Sequence, residues 1–244
     1  MIKSCILAIQ FLTRLPTPNY ADVSPREMGR AIGCFPLVGG LIGLILWLMA
    51  PMLIGVVAPP VAAALLVALW ALITGALHLD GLADLADGWL GGHGDHDKAL
   101  AIMKDSRLGT GGVVTLVLVL LLKWLLVWQA LAIEQFWLLL LAPVAGRIAA
   151  IALMSVTRYV SVEGLAEAMH QHLSKPVVAL WTIWLILGLG LGFGVWVPLV
   201  LGAVWLWLRW LMIRITGGMT GDTAGAMVEV IEVTTLLVLL TAVG

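Results

Sequence analysis

The chain has 244 residues, of which 62% are hydrophobic and only 11% are charged, and its formal net charge is −1. A soluble globular domain carries about a quarter charged residues, so the composition excludes an ordinary soluble domain. Because the net charge is near zero and no basic block occurs, no nucleic-acid partner is expected.

Taken in chain order, the apolar runs predict an all-α, polytopic integral membrane protein, because a membrane-spanning helix needs about 20 apolar residues. We expect an amphipathic or re-entrant segment at 4–15 and a polar link at 16–30, so that residues 1–31 lie on the cytoplasmic face. Six to seven transmembrane helices follow, within one domain covering 1–244. The predicted spans are 32–54, 61–79, 113–133, 136–156, 177–197, 199–215 and 225–243.

The placement of basic residues predicts the orientation of these spans. Lys and Arg precede the first span, occupy the connections after the second and fourth, and lie at the end of the sixth. The connections at 55–60, 134–135 and 197–198 contain neither. By the positive-inside rule, the N-terminus and the polar loops are cytoplasmic and the C-terminus is outside. Nearly all acidic residues and all five histidines then lie on the cytoplasmic side, which predicts an active face there.

A stripe of carboxylates follows the second predicted span. Asp80, Asp84 and Asp87 are spaced i, i+4 and i+7, which puts them on one face of a helix. Like charges close to lipid need compensation. A divalent cation that also holds phosphate oxygens supplies it, and oxygen ligands favour Mg²⁺. The alternative is a solvated helix end. His78 borders the stripe, either as a structural residue or as a contact to a carboxylate or substrate.

A second polar block, at 103–112, precedes the third span and ends in glycines. Lys104, Ser106 and Arg107 offer donors and a hydroxyl to a phosphate, and glycine backbone N–H groups can approach it closely. The block does not match the general phosphate-loop pattern. The alternative is a positively charged loop at the membrane edge.

A third block, at 216–226, leads into the last span, which contains Glu229 and Glu232. A helix that begins near Asp222 would align these carboxylates, and acids within an apolar segment are functional by default. The alternative is a structural ion pair with Arg147 or Lys123 inside the membrane. Arg147 lies near mid-span, where snorkelling is hard, so we predict a carboxylate or phosphate partner for it.

Together these blocks resemble the cobalamin synthase family, the adenosylcobinamide-GDP ribazoletransferases. The blocks are HLDGLADLADGW at 78–89, MKDSRLGTGG at 103–112 and GGMTGDTAGAMVEVIE at 217–232. Further likeness comes from FLTRLPTP at 11–18, FPLVGGLIG at 35–43 and RYVSVEGLAEA at 158–168, where Ala166 departs from the expected glycine.

The resemblance implies an enzyme of the bacterial cytoplasmic membrane that completes the cobalamin nucleotide loop. It would join adenosylcobinamide-GDP to α-ribazole, or to α-ribazole 5′-phosphate, and release GMP with the help of Mg²⁺. A homo-oligomer is left open. The family motifs match at Asp80, Asp84, Asp87, Asp105, Ser106, Arg107, Thr220, Asp222 and Glu229.

Chemistry suggests roles for these positions. Asp80, Asp84 and Asp87, with Asp222, would hold the metal, while Asp84 or Asp87 would accept the proton of the attacking hydroxyl. Arg107 and Lys104 would clamp the phosphate oxygens, and the remaining matched residues and Arg147 would contact substrate. Three alternatives stay open: another membrane phosphotransferase for a nucleotide-diphosphate-activated substrate, an ion-coupled transporter, and a structural membrane subunit.

Overall fold

The computed structural model describes residues 2–20, 22–161 and 170–243, and these residues form eleven α-helices. The all-α prediction is confirmed for the described residues, whose one extended pairing is an isolated bridge between Tyr159 and Met219. The helices are α1 Ile2–Leu12, α2 Pro25–Ile32, α3 Phe35–Ile54, α4 Pro59–Thr74, α5 Leu77–Gly92, α6 His96–Met103, α7 Thr110–Ala132, α8 Leu138–Val156, α9 Lys175–Phe193, α10 Trp196–Thr216 and α11 Gly221–Val243.

The membrane prediction is also confirmed. Six helices (α3, α7, α8, α9, α10 and α11) are long and apolar enough to cross a bilayer. The bent pair α4 and α5 is either a seventh, broken span or a re-entrant loop. The protein is therefore a multi-pass membrane protein.

The predicted span 61–79 ends early, at Thr74, and that boundary was wrong. Gly75 and Ala76 both have left-handed backbone, with φ of +61° and +57°. The chain bends by 88° at this point and α5 begins at Leu77. The bend lies in the left-handed backbone of two small residues, beside which Arg14 packs, and the apolar pattern gave no sign of it. The acidic stripe consequently lies on a helix of its own.

Two other boundaries differ from the prediction. The fifth and sixth spans separate at Gly194, where φ is +91°, and not at 197–198. Pro198 lies in the first turn of α10, where a missing N–H leaves no helical hydrogen bond unmade. The predicted polar link contains α2, which begins with a capping box between Ser24 and Glu27.

The centre of the bundle is built on α8 and α11, which are the most buried of the long helices. Gly39 and Gly43 of α3 lie four residues apart, where α3 crosses α8 in backbone contact. A Cβ on Gly39 would lie 2.5 Å from the carbonyl oxygen of Pro143. Small residues at this spacing let membrane helices approach closely. The close packing fixes α8 against α3, while α9 and α10 remain at the periphery.

Candidate functional site

The helix with the acidic stripe crosses the start of α11 in direct backbone contact. A Cβ on Gly81 would lie 2.7 Å from both Cα and O of Asp222, and one on Gly225 would lie 3.2 Å from Cα of His78. Because neither glycine carries a side chain, the two helices meet without a spacer. The crossing brings the third polar block of the sequence against the first.

Four carboxylates gather around this crossing. Asp84 is partly buried and lies within electrostatic reach of Asp80, Asp222 and Asp87, all of which repel its charge. Within residues 2–20, 22–161 and 170–243, no Lys, Arg or His forms an ion pair with any of the four. The same residues contain no group of three His, Cys, Asp or Glu side chains already arranged to hold a metal ion.

Asp87 has well-defined partners in the second block. Its two carboxylate oxygens accept hydrogen bonds from the backbone N–H groups of Gly109 and Gly112, at 2.7 and 2.8 Å. These groups lie at the N-terminus of α7, where an anion is stabilised by free N–H groups and by the helix dipole. Asp87 therefore anchors the start of α7 to the acidic helix. Its predicted role as a metal ligand stays a prediction.

The loop that precedes α7, at 104–107, exposes its polar side chains to solvent. Lys104, Asp105, Ser106 and Arg107 are all exposed. A nitrogen of the Arg107 guanidinium lies 2.7 Å from an Asp105 carboxylate oxygen, and this guanidinium lowers the pKa of Asp105 to about 2. The structure does not bring Arg107 to the acidic stripe. Its catalytic role, and the substrate contacts predicted for its neighbours, stay predictions.

Thr220 caps the helix that carries Asp222. Its backbone N–H donates to the Thr223 hydroxyl at 2.8 Å, and its own side-chain oxygen accepts from the Thr223 N–H at 3.2 Å. The cap fixes Asp222 in the first turn of α11, where the helix dipole stabilises a negative charge. The predicted substrate contact of Thr220 stays a prediction.

The buried ions of the last span form a network with two basic residues. The Lys123 ammonium lies 2.6 Å from a carboxylate oxygen of Glu229 and 2.6 Å from one of Glu232. The other oxygen of Glu232 pairs with Arg147. All four side chains are at most 4% exposed. The predicted ion pairs with Lys123 and Arg147 are thus confirmed for Glu229 and Glu232. The predicted contact of Glu229 with substrate stays a prediction.

A cavity of about 140 Å³ lies beside the helix crossing. Its polar wall comes from Asp80, Asp222, His78 and Arg147, and its apolar wall includes Phe11, Leu12, Phe35, Met154 and Met219. Sequence analysis did not connect the N-terminal aromatic residues with the acidic stripe. The FLTRLPTP and FPLVGGLIG blocks contain both of them, and these blocks are the only sequence signal that pointed there.

Replacing Gly81 with Ala should destabilise the protein by about 1–3 kcal/mol, as overpacking does, because the new Cβ meets the backbone of Asp222 and not a flexible side chain. Gly202→Ala is the matched control, since a Cβ there meets nothing within 4 Å and alanine favours a helix. Unfolding curves of the two variants in detergent or lipid measure the difference. Equal stability of both variants would contradict the close crossing of α5 and α11.

Comparisons with known proteins identify the family of the whole chain. The family model for cobalamin-5-phosphate synthase matches residues 4–240. Proteins named adenosylcobinamide-GDP ribazoletransferase are 50% identical in Pseudomonas putida strain W619, over 95% of this chain and 96% of that protein, and 46% identical in Pseudomonas paraeruginosa strain PA7, over 98% of each. No solved structure matches. The departure at Ala166 falls within residues 162–169, outside the described residues. Since one family model covers nearly the whole chain, the protein belongs to the cobalamin-5-phosphate synthase family.

Proposed function

We propose that the protein joins adenosylcobinamide-GDP to α-ribazole, or to α-ribazole 5′-phosphate, and releases GMP. Relatives with that name match the chain over almost its entire length. The observation that carries the proposal is the gathering of Asp80, Asp84 and Asp222 where α5 crosses α11. Uncompensated carboxylates beside a cavity are suited to a metal-assisted transfer of a phosphoryl group.

Magnesium is the cofactor that we propose. The donor set fits a hard divalent cation, because it consists of carboxylate oxygens that lack a cationic partner among the described residues. Asp80 and Asp222, which line one cavity, would hold the ion together with Asp84. When bound, Mg²⁺ would neutralise charge on the transferring phosphoryl group and on departing GMP.

The reaction is a displacement at phosphorus. A ribose hydroxyl of α-ribazole forms a new P–O bond at the phosphorus next to cobinamide, the P–O bond to GMP breaks, and GMP leaves with the bridging oxygen. We assign acceptance of the hydroxyl proton to Asp84. Both carboxylate oxygens of Asp87 are already engaged by backbone N–H groups, which leaves Asp84 as the carboxylate for this role.

The loop at 104–107 is the part of the site that we assign to the diphosphate. Asp87 ties the start of α7 to the acidic helix through Gly109 and Gly112, so the loop that precedes α7 ends at this carboxylate. Lys104 and Arg107 are exposed there and can bind phosphate oxygens from the solvent side. This role requires Arg107 to exchange Asp105 for substrate.

We propose further that the protein resides in the bacterial cytoplasmic membrane with this site on the cytoplasmic side. The support is the distribution of Lys and Arg, which occupy the connections at one side of the predicted topology. Labelling of introduced cysteines at Ser106 and at Glu134 from either side of the membrane tests the orientation.

The deciding experiment measures GMP released by the protein in lipid vesicles, supplied with adenosylcobinamide-GDP and α-ribazole. We expect release to require both substrates and Mg²⁺, and to stop when the metal is chelated. Folded protein that releases no GMP under these conditions would overturn the proposal. Substrate flux into the same vesicles without GMP would then favour the transporter alternative.

A further inference from the structure

The cavity beside the helix crossing contains hydrogen-bonding groups that no described residue satisfies. Nε and Nη2 of Arg147 and Nδ1 of His78 are buried without a hydrogen-bond partner in residues 2–20, 22–161 and 170–243. The two residues are only 1% and 4% exposed, and both line the cavity. Buried polar groups, and charged ones above all, are normally paired. The two Arg147 nitrogens can only donate, so they indicate a ligand that accepts hydrogen bonds.

The free edge of Arg147 defines the shape of that ligand. Its Nη1 is already used, since it donates to Glu232 and to the carbonyl oxygen of Pro143. Nε and Nη2 form the side-on edge of the guanidinium, whose two parallel N–H bonds match two oxygens of a phosphate or carboxylate. In one neutral tautomer the His78 Nδ1 is a further donor. The donors together are suited to an oxyanion.

The rest of the cavity wall indicates what the oxyanion is attached to. Phe11 and Phe35 stack with ring centroids 5.8 Å apart, and Leu12, Met154 and Met219 complete an apolar surface. A free inorganic ion would leave this surface unused, whereas an organic phosphate would cover it. Asp80 and Asp222 lie on the polar side, where the proposed metal would offset their repulsion of an anion.

We propose that Arg147 and His78 bind a phosphate group of a substrate inside this cavity, with the organic part of that substrate on the apolar wall. The assignment rests on the proposed function, and it deepens that proposal by giving the phosphate a binding site separate from the exposed loop at 104–107. Two sources offer this chemistry: the 5′-phosphate of α-ribazole 5′-phosphate, and the phosphate of the adenosylcobinamide-GDP diphosphate that the loop at 104–107 does not hold.

The test compares Arg147→Lys with wild type in lipid. Lysine keeps the positive charge beside Glu232 but lacks the two-pronged edge. We expect it to weaken phosphate binding by about tenfold or more, as the loss of a charge-assisted hydrogen bond does. His78→Phe, which keeps a ring and removes the nitrogens, should weaken binding less. Arg214→Lys is the control, because Arg214 stacks on Trp210 and does not line the cavity.

Two measurements separate the sources of the phosphate. The first measures direct binding of α-ribazole 5′-phosphate and of α-ribazole. If Arg147→Lys weakens binding of α-ribazole 5′-phosphate only, the cavity holds the phosphate of the acceptor. A higher KM for adenosylcobinamide-GDP, with an unchanged kcat and with either acceptor, identifies the diphosphate. Both results support the inference. Unchanged binding and KM in Arg147→Lys and His78→Phe, with only a lower Tm, would overturn it and leave a purely structural role.

The inference and the proposed function fail in different ways. Wild-type protein that releases GMP, with variants that bind both substrates as wild type does, refutes the phosphate site and leaves the transferase intact. Wild-type protein that releases no GMP refutes the transferase. Binding of α-ribazole 5′-phosphate that Arg147→Lys weakens would, even then, support the phosphate site.

Discussion

Replacing Glu232 with Gln should lower the free energy of unfolding by about 3–5 kcal/mol, the cost of removing one partner from a buried ion pair. Glu232 is fully buried and connects two cations, since one carboxylate oxygen pairs with Arg147 and the other with Lys123. Glutamine has nearly the same shape but no charge, so the loss is electrostatic and not a loss of packing. Denaturation in mixed detergent micelles measures it.

The control is Glu134→Gln, the same chemical change at an exposed position outside the network. It should alter stability by less than 0.5 kcal/mol, as surface substitutions do. Adding Lys123→Met to Glu232→Gln removes the excess positive charge and should recover part of the loss. The network contributes nothing through charge if the double variant loses the sum of the stabilities that Glu232→Gln and Lys123→Met lose singly. The same conclusion follows if Glu232→Gln is as stable as the control.

The size of this effect follows from where the network lies in the bundle. Lys123 is on α7, Arg147 is on α8, and Glu229 and Glu232 are on α11. Lys123 also lies 4.2 Å from the ring centroid of Trp70, on α4. The network thus joins four helices from three separate parts of the sequence. It also holds Arg147 at the wall of the cavity, so that its loss affects the site as well as the fold.

The spans could be predicted from the sequence because each is a local property. An apolar run of about 20 residues crosses a bilayer whatever its neighbours are. The bend between α4 and α5 was missed because it is formed by left-handed backbone at Gly75 and Ala76, within an otherwise uninterrupted apolar stretch. Alanine seldom adopts this conformation, so the composition of the stretch predicts a continuous helix.

The site could be predicted only in part. The spacing of Asp80 and Asp84 on one helix face is local, and the sequence predicts it correctly. The approach of Asp222 depends on the absence of a side chain at Gly81, where two distant segments meet. No periodicity encodes that contact. Likewise, nothing in the spacing of Asp87 distinguishes a metal ligand from a residue that caps α7 through backbone hydrogen bonds.

Asp84→Asn should lower GMP release by a factor of about 10²–10⁴, the contribution of a positioned general base, without destabilising the protein. Asparagine keeps the shape of the side chain and loses the charge that Asp80, Asp222 and Asp87 repel. The folded state should therefore be as stable as wild type or slightly more stable, as is common when a strained active-site group is removed. Single-turnover GMP release and thermal unfolding of the same preparation measure the two effects.

The response to magnesium tests whether Asp84 also holds the metal. A ligand that binds only the folded state raises its stability, so Mg²⁺ should raise the Tm of wild type more than that of Asp84→Asn. The control Asp97→Asn removes the same charge from an exposed position on α6 and should leave both activity and the Mg²⁺ response unchanged. Loss of activity together with a lower Tm in Asp84→Asn would mean that Asp84 serves the fold. Full activity of Asp84→Asn at limiting Mg²⁺ would exclude Asp84 from both the metal site and the proton transfer. Asp80 and Asp222 would then be the carboxylates to test next.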